Sequence, residues 1–399
     1  MGLLDVHAYD RKWTDECILI NFITWGVVGT ILCCFGFVGN LLSFVTFQQE
    51  KRSPTTTLLQ CLAASDFMLL FSVFATDDLP YICDYTGTCD NPWTTWPYIR
   101  YIWLTTPISH MCSIWFVVLI AANRYFAVCK PHKIHVIWDN FKTVIYIISV
   151  LFLVITFNVP RFFEYAIVTL RSPFNTTILA EKTTSFGLES SYKAVYKVLL
   201  VNMMLVILPV TALIIFTTLI LRTLKQHRHR LESSRSPSKK DPCNKASSRT
   251  SQSEITLVLI LVVVVAILCQ SPLAAFHFVR YQQNNGCQDV VFYLDNISKL
   301  LVNLNSCINF VIYCVASPRF RTILLGIITG EKVQRGDPHR QTKSIPRFIC
   351  SGNGINDADD VWSYCTLCNN LPKTFTVFIA FYLCLCKRFN CMLIYLYVC

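Results

Sequence analysis

WLTTPISHMCSIWFVVLIAANRYFAVCKP, residues Trp103 to Pro131, carries no Asp, Glu, Lys or Arg until Arg124. About twenty apolar residues rising about 1.5 Å each cross the hydrocarbon of a bilayer, and this run is long enough to do so. It therefore reads as a membrane helix. Arg124 at its end is the informative residue, because a guanidinium at the membrane edge must reach water, a carboxylate or a partner protein. Asn123-Arg124-Tyr125 followed by Cys129-Lys130-Pro131 places a short basic turn directly after the span.

Outward from this stretch the chain keeps the same character. Of its 399 residues, 53% are hydrophobic and 15% charged, and the mean hydropathy is +0.46. A soluble chain carries roughly a quarter charged residues. Seven apolar segments exceed the spanning length, at about 22–48, 56–82, 97–128, 140–162, 194–222, 254–280 and 290–316. The expected fold class is an all-α membrane protein, a seven-helix bundle over residues 22–328. An extracellular segment, 1–21, precedes it and a cytoplasmic tail, 329–399, follows.

The net charge of +11 resides largely in loops, so it argues for topology rather than for nucleic acid. Lys51 and Arg52 lie between spans one and two, Lys130 and Lys133 between three and four, and a Ser-, Pro-, Lys- and Arg-rich third inner loop covers about 223–253. The loop after span two has no Lys or Arg from Asp77 to Pro97 but holds Asp77, Asp78, Asp84 and Asp90. Basic loops stay inside, so the N-terminus is expected outside a plasma membrane. No basic start with an apolar core precedes span one, so it is expected to act as its own insertion signal. The sequon at Asn175 then falls in an outer loop, open to glycosylation.

Polar residues inside the spans carry the chemistry. Asp66 lies midway along span two, where a carboxylate costs roughly 2.5–3.5 kcal/mol on insertion scales. Its candidate partners are Asn40, Ser113, Asn305, Ser306 and Asn309. Asn305 and Asn309 share a helix face, and Ser113 stands about three turns above Arg124. Asp66, Ser113, Asn305, Ser306 and Asn309 make an oxygen set suited to a hard cation, a candidate sodium site, or else a structural hydrogen-bond network. No other cofactor is expected. No metal or nucleophile signature points to an enzyme, and no internal repeat or broken helix pair points to a transporter.

Several motifs occur in one order: Gly39-Asn40, Leu62-Ala63-Ala64-Ser65-Asp66, Arg124-Tyr125, Pro209, Cys269-Gln270-Ser271-Pro272 and Asn309-Phe310-Val311-Ile312-Tyr313. In this the chain resembles the rhodopsin-like G-protein-coupled receptors over about residues 22–328. Asn158-Val159-Pro160-Arg161-Phe162-Phe163-Glu164-Tyr165 and Asn309 to Cys314 are similar to invertebrate neuropeptide receptors related to FMRFamide receptors. The resemblance implies an extracellular Arg-Phe-amide type peptide as ligand and a heterotrimeric G protein as cytoplasmic partner. It implies coupling through Asn123, Arg124, Tyr125 and Tyr313. A seven-helix receptor for a non-peptide ligand is the alternative, ahead of a transporter.

The departures from the family pattern are specific. Asn123 replaces the acidic residue beside the arginine, Gln270 the tryptophan, and Phe310 the proline. Glu254, near the inner end of span six, is a candidate substitute for the missing acid. The family's disulfide would start near Ile99, yet 162–192 holds no cysteine. Four other cysteines face outside, Cys17, Cys83, Cys89 and Cys287. Three pairings are open, with Cys83–Cys89 and Cys17–Cys287 favoured. Thr106 stands where monoamine receptors carry an aspartate and Asn303 where opsins carry the retinal lysine. The expected ligand-binding residues are Asp77, Asp78, Thr106, His110, Glu164, His277, Arg280, Asp295 and Lys299, with Lys299 one turn below Asp295 and able to pair with it. Beyond span seven, Ser317 to Ile328 reads as a short amphipathic helix on the membrane lipid. In the tail, Phe375–Cys386 and Cys391–Cys399 are too short to span; Cys384 and Cys386 are candidates for acylation, and Cys365 and Cys368 for a zinc half-site.

Overall fold

The computed structural model describes residues 15–87, 99–171, 177–233, 260–273 and 290–329. Within these, six helices are long and apolar enough to cross a membrane. They are α1 (Glu16–Gln49), α2 (Pro54–Thr86), α3 (Ile99–Cys129), α4 (Asn140–Phe163), α5 (Tyr192–Gln226, its helix running on to Ser233) and α7 (Val290–Ala316). The apolar helix α6 is described over Ile260–Leu273. The expected spans thus recur in order. The ends of α7 match the expected 290–316 and those of α4 differ by one residue, while α1, α2 and α5 run several residues past their apolar windows.

Helix starts follow local chemistry. At α2, Ser53 Oγ accepts from Thr56 N at 3.2 Å while Ser53 N donates to Thr56 Oγ1 at 2.9 Å, and Pro54 follows at the first helical position. This capping box satisfies two otherwise orphaned donors. Asp139 caps α4 by accepting from Lys142 N at 2.7 Å. Gly87 ends α2 with φ of 60°, a left-handed conformation that glycine adopts without strain.

Helix α3 packs against α2, α4 and α5, and α1 packs on α2 and α7. Close approach at α1 needs glycine. A Cβ on Gly36 would run into Leu70 of α2 and Cys307 of α7. Trp25, Cys33, Leu69, Leu70, Val73, Leu273, Val302 and Cys307 form a buried cluster joining α1, α2, α6 and α7. Conversely Phe141, Ile148, Phe152, Leu268 and Val315 are exposed on the helix surfaces. On a membrane-spanning helix such side chains meet lipid tails.

Three helices widen into π-helical turns, α1 at Phe22–Gly29, α2 at Phe74–Asp78 and α5 at Tyr192–Leu200 and Met203–Ile207. Such turns re-aim side chains and gather at functional sites. Those of α1 and α2 touch each other. Among the described residues, three further elements stand outside the expected set, one of them a short helix, Ser185–Leu188. A short helix, Pro131–Ile137, follows α3, and an antiparallel hairpin, β1 (Tyr165–Arg171) with β2 (Thr177–Thr183), follows α4, Tyr165 opposite Thr183 and Arg171 opposite Thr177. After Ser317 comes α8 (Pro318–Thr329), the short helix expected there.

Candidate functional site

Buried polar residues gather at three levels of the bundle. At the middle level Asp66 of α2 is fully buried. Ser113 Oγ of α3 donates to its Oδ1 at 2.6 Å, Ser306 Oγ of α7 to the same oxygen at 2.8 Å, and Asn309 Nδ2 to Oδ2 at 2.8 Å. Asn40 of α1 joins through a 3.0 Å bond to the Ser306 carbonyl. Three helices thereby meet on one carboxylate, whose burial three donors offset, and α1 joins through the backbone of α7. Asn305 makes no bond to Asp66, and the Oδ1 atoms of Asn305 and Asn309 are buried without a hydrogen-bond partner among the described residues. Those orphaned oxygens, with the Asp66 carboxylate and two hydroxyls, form an all-oxygen set of the kind a hard cation takes.

At the inner level Arg124 and Asn123 do not hold each other. Both turn to Thr55 at the start of α2. Arg124 Nη2 donates to Thr55 Oγ1 at 2.7 Å, and that hydroxyl donates to Asn123 Oδ1 at 2.9 Å. Glu50, at the end of α1, acts on the guanidinium electrostatically. The Tyr125 ring lies against Phe216 of α5 at 5.6 Å, with Lys130 Nζ 5.7 Å above it. Tyr313 is buried with its ring edge-on to Phe47 at 5.2 Å. Thr55 was missed in the sequence, although it opens a run of three threonines directly behind a helix-capping Ser-Pro.

At the hairpin end, His110 of α3 reaches α6. Its Nε2 lies 3.1 Å from Gln270 Oε1 and 2.9 Å from Gln270 Nε2, and both residues are buried. Thr106 is turned to α2, its Oγ1 hydrogen-bonded to Ser72 Oγ at 2.5 Å, to which Thr105 also donates at 2.8 Å. On α7, Lys299 pairs with Asp295 at 2.9 Å, and its Nζ sits 6.0 Å from the Trp25 ring. Trp25 Nε1 in turn donates to Asn296 Oδ1 at 2.8 Å. Asp77, which accepts from Thr76 Oγ1 at 2.9 Å, is electrostatically coupled to both Lys299 and Asp295. Two carboxylates from two helices thus lie within electrostatic reach of one ammonium, which is ion-paired with Asp295.

Two expected ligand-binding carboxylates lie elsewhere. Asp78 is fully buried and faces α1, so that a Cβ on Gly29 would sit 2.5 Å from its Oδ1. One residue along a helix turns the side chain by about 100°, which separates it from Asp77. Glu164 is buried, ion-paired with Lys197 of α5, and accepts from the Tyr192 hydroxyl at 3.2 Å. It forms no part of an open acidic mouth. Cys17 and Cys83 are both disulfide-bonded and buried. The remaining expected positions, Cys89, Cys287, Asn175, Glu254, His277, Arg280 and the tail, lie outside the described residues.

The family described as 7 transmembrane receptor (rhodopsin family) matches residues 39–313. The chain is similar to the FMRFamide receptor of Drosophila melanogaster, at 26% identity over 352 residues. That match covers 82% of this chain and 60% of the length of the Drosophila receptor. It is also similar to a probable G-protein coupled receptor of Caenorhabditis elegans, 24% identical over 80% of this chain and 83% of that protein. An FMRFamide peptide receptor of Caenorhabditis elegans is 31% identical over 36% of this chain and 33% of its own length.

Proposed function

The chain belongs to the rhodopsin family of seven-transmembrane receptors, and from that premise we propose that it binds a small cationic neuropeptide at the hairpin end and activates a heterotrimeric G protein at the Arg124 end. In this reading the N-terminus and hairpin face outward from a plasma membrane. The observation that carries it is the placement of polar contacts along α3. His110 bonds to α6, Ser113 reaches α7 through Asp66, and Arg124 holds α2. A ligand that shifts α3 or α6 at one end therefore perturbs the arginine at the other, which is the structural requirement for coupling two sites through one element.

The peptide class rests on the relatives' names together with charge. Among the described residues, Asp77 and Asp295 lie together around the single ammonium of Lys299, and such a cluster of carboxylates draws a cation. A guanidinium can bridge both oxygens of one carboxylate, a geometry that lysine cannot reproduce. Asp66 with Ser113, Ser306, Asn305 and Asn309 would hold a sodium ion. Such an ion stabilises whichever conformation keeps those oxygens together.

The test is a panel of amidated peptides applied to cells expressing the receptor, with calcium and cyclic nucleotide responses recorded. A response confined to arginine-containing peptides is expected. Responses to small amines or nucleotides with none to peptides would overturn the reading.

A further inference from the structure

The hairpin β1–β2 lies between α4 and α5, and residues 162–192 contain no cysteine, so no disulfide ties it down. Its root is nevertheless held from several sides. Glu164, directly before β1, is 1% exposed and ion-paired with Lys197. The Tyr192 hydroxyl donates to its other oxygen. Lys197 Nζ lies 5.9 Å from the Tyr165 ring and 5.9 Å from the Tyr192 ring, so the cation sits between two aromatic faces. Thr184, directly after β2, donates through N to the Glu164 carbonyl at 2.9 Å and through Oγ1 to the Phe163 carbonyl at 2.7 Å. The Tyr165 ring meets Trp103 of α3 edge-on at 5.9 Å.

We infer that Glu164 and Lys197 are a reversible ionic latch, seating the hairpin as a lid over the ligand-binding end by joining its root to α5. Arg161 at the same root acts on Tyr192 and Tyr196 of α5 electrostatically, but among the described residues the ion pair across the root is Glu164 with Lys197. The carboxylate is the constrained partner: Glu164 is buried while Lys197 is partly exposed, so removing the lysine leaves an uncompensated charge inside the protein. The π-helical stretch Tyr192–Leu200 carries both Lys197 and Tyr192, so one segment of α5 supplies both groups that hold the carboxylate. A latch built of charges opens and recloses without chemistry, which suits a lid that a peptide must pass. That role rests on the proposed ligand-binding end; the latch itself does not.

Hydrogen–deuterium exchange of the full-length receptor in lipid nanodiscs, with no ligand present, tests the latch apart from any receptor pharmacology. Lys197→Met should raise exchange in Tyr165–Arg171 and Thr177–Thr183 about tenfold or more, since a buried carboxylate loses its cation, while α1, α2, α3 and α7 exchange as in wild type. Lys197→Arg should restore slow exchange. Adding Glu164→Gln to Lys197→Met should return part of the loss, because no charge is then stranded. Should Lys197→Met fail to fold, Tyr192→Phe removes only the hydroxyl bonded to Glu164 and should raise exchange in the same two segments by a smaller factor. Unchanged hairpin exchange in the folded variants, or a rise spread equally over all helices, overturns the latch. A confirmed latch beside an absent peptide response would leave the lid and remove only its ligand.

Discussion

Replacing Thr55 by valine keeps the shape of the side chain and deletes the one atom on which Arg124 and Asn123 converge. Two bonds go, one from a guanidinium at 2.7 Å and one to an amide oxygen at 2.9 Å. Hydrogen bonds to charged groups contribute about 1.5–3 kcal/mol and neutral ones about 0.5–1.5 kcal/mol. Glu50 still acts on the arginine from a distance, so the net loss is taken as about 2 kcal/mol, toward the lower end of that sum. That converts to about a 30-fold shift in favour of conformations with the arginine released. If about 1% of wild-type receptors are active at rest, a typical minor population, the variant should reach about a quarter. The assay is ligand-independent G-protein recruitment at matched surface density. Asn123→Asp is the companion with opposite sign, because it offers Thr55 and Arg124 a carboxylate. Basal recruitment by Thr55→Val within about twofold of wild type, a shift of under about 0.5 kcal/mol, would refute the reasoning.

Three further outcomes follow from the same contacts. Sodium exchanged for a large organic cation at constant ionic strength should lower agonist affinity in wild type and not in Asp66→Asn, as read by competition binding; equal insensitivity of both would leave only the hydrogen-bond network. Asp77→Asn should weaken an arginine-containing agonist about 10- to 100-fold, the range of a charge-assisted bond, and its citrulline analogue far less. Asp78→Asn should not discriminate the two, because Asp78 faces Gly29. Gln270→Leu removes the buried bond to His110 and should raise basal signalling about fivefold, from about 1 kcal/mol; an unchanged basal level would show that α3 and α6 are not held there.

The sequence was most legible where the bilayer constrains it. Apolar length and loop charge located the spans, and a carboxylate in lipid announced that Asp66 needs partners. Ser113 follows from helix depth, and Ser306 and Asn309 are among the candidates that the sequence offers, whereas Asn305 on the same helix makes no bond to Asp66. Less legible were contacts that depend on rotation about a helix axis. Asp77 and Asp78 are neighbours in sequence, yet one step along a helix turns a side chain by about 100°, so one is coupled to α7 and the other faces α1. Glu164 read as an outer-loop acid because its partner, Lys197, sits on α5 beyond a hairpin that the loop-like stretch concealed. The aromatic and β-branched run Tyr165-Ala166-Ile167-Val168-Thr169 was a usable strand signal. Thr55 was hidden differently: a threonine in the first turn of a helix reads as capping chemistry, and nothing local says that an arginine from α3 reaches it.

The central claim is that a peptide bound at the hairpin end drives a G protein through Arg124. It is tested most directly by nucleotide exchange on a purified heterotrimeric G protein with the receptor in nanodiscs, using an arginine-containing amidated peptide that the wild type binds. The account predicts peptide-dependent exchange with wild type and none with Arg124→Ala, which should still bind the peptide. Undiminished exchange with Arg124→Ala, or no exchange with a wild-type receptor that binds the peptide, would contradict it.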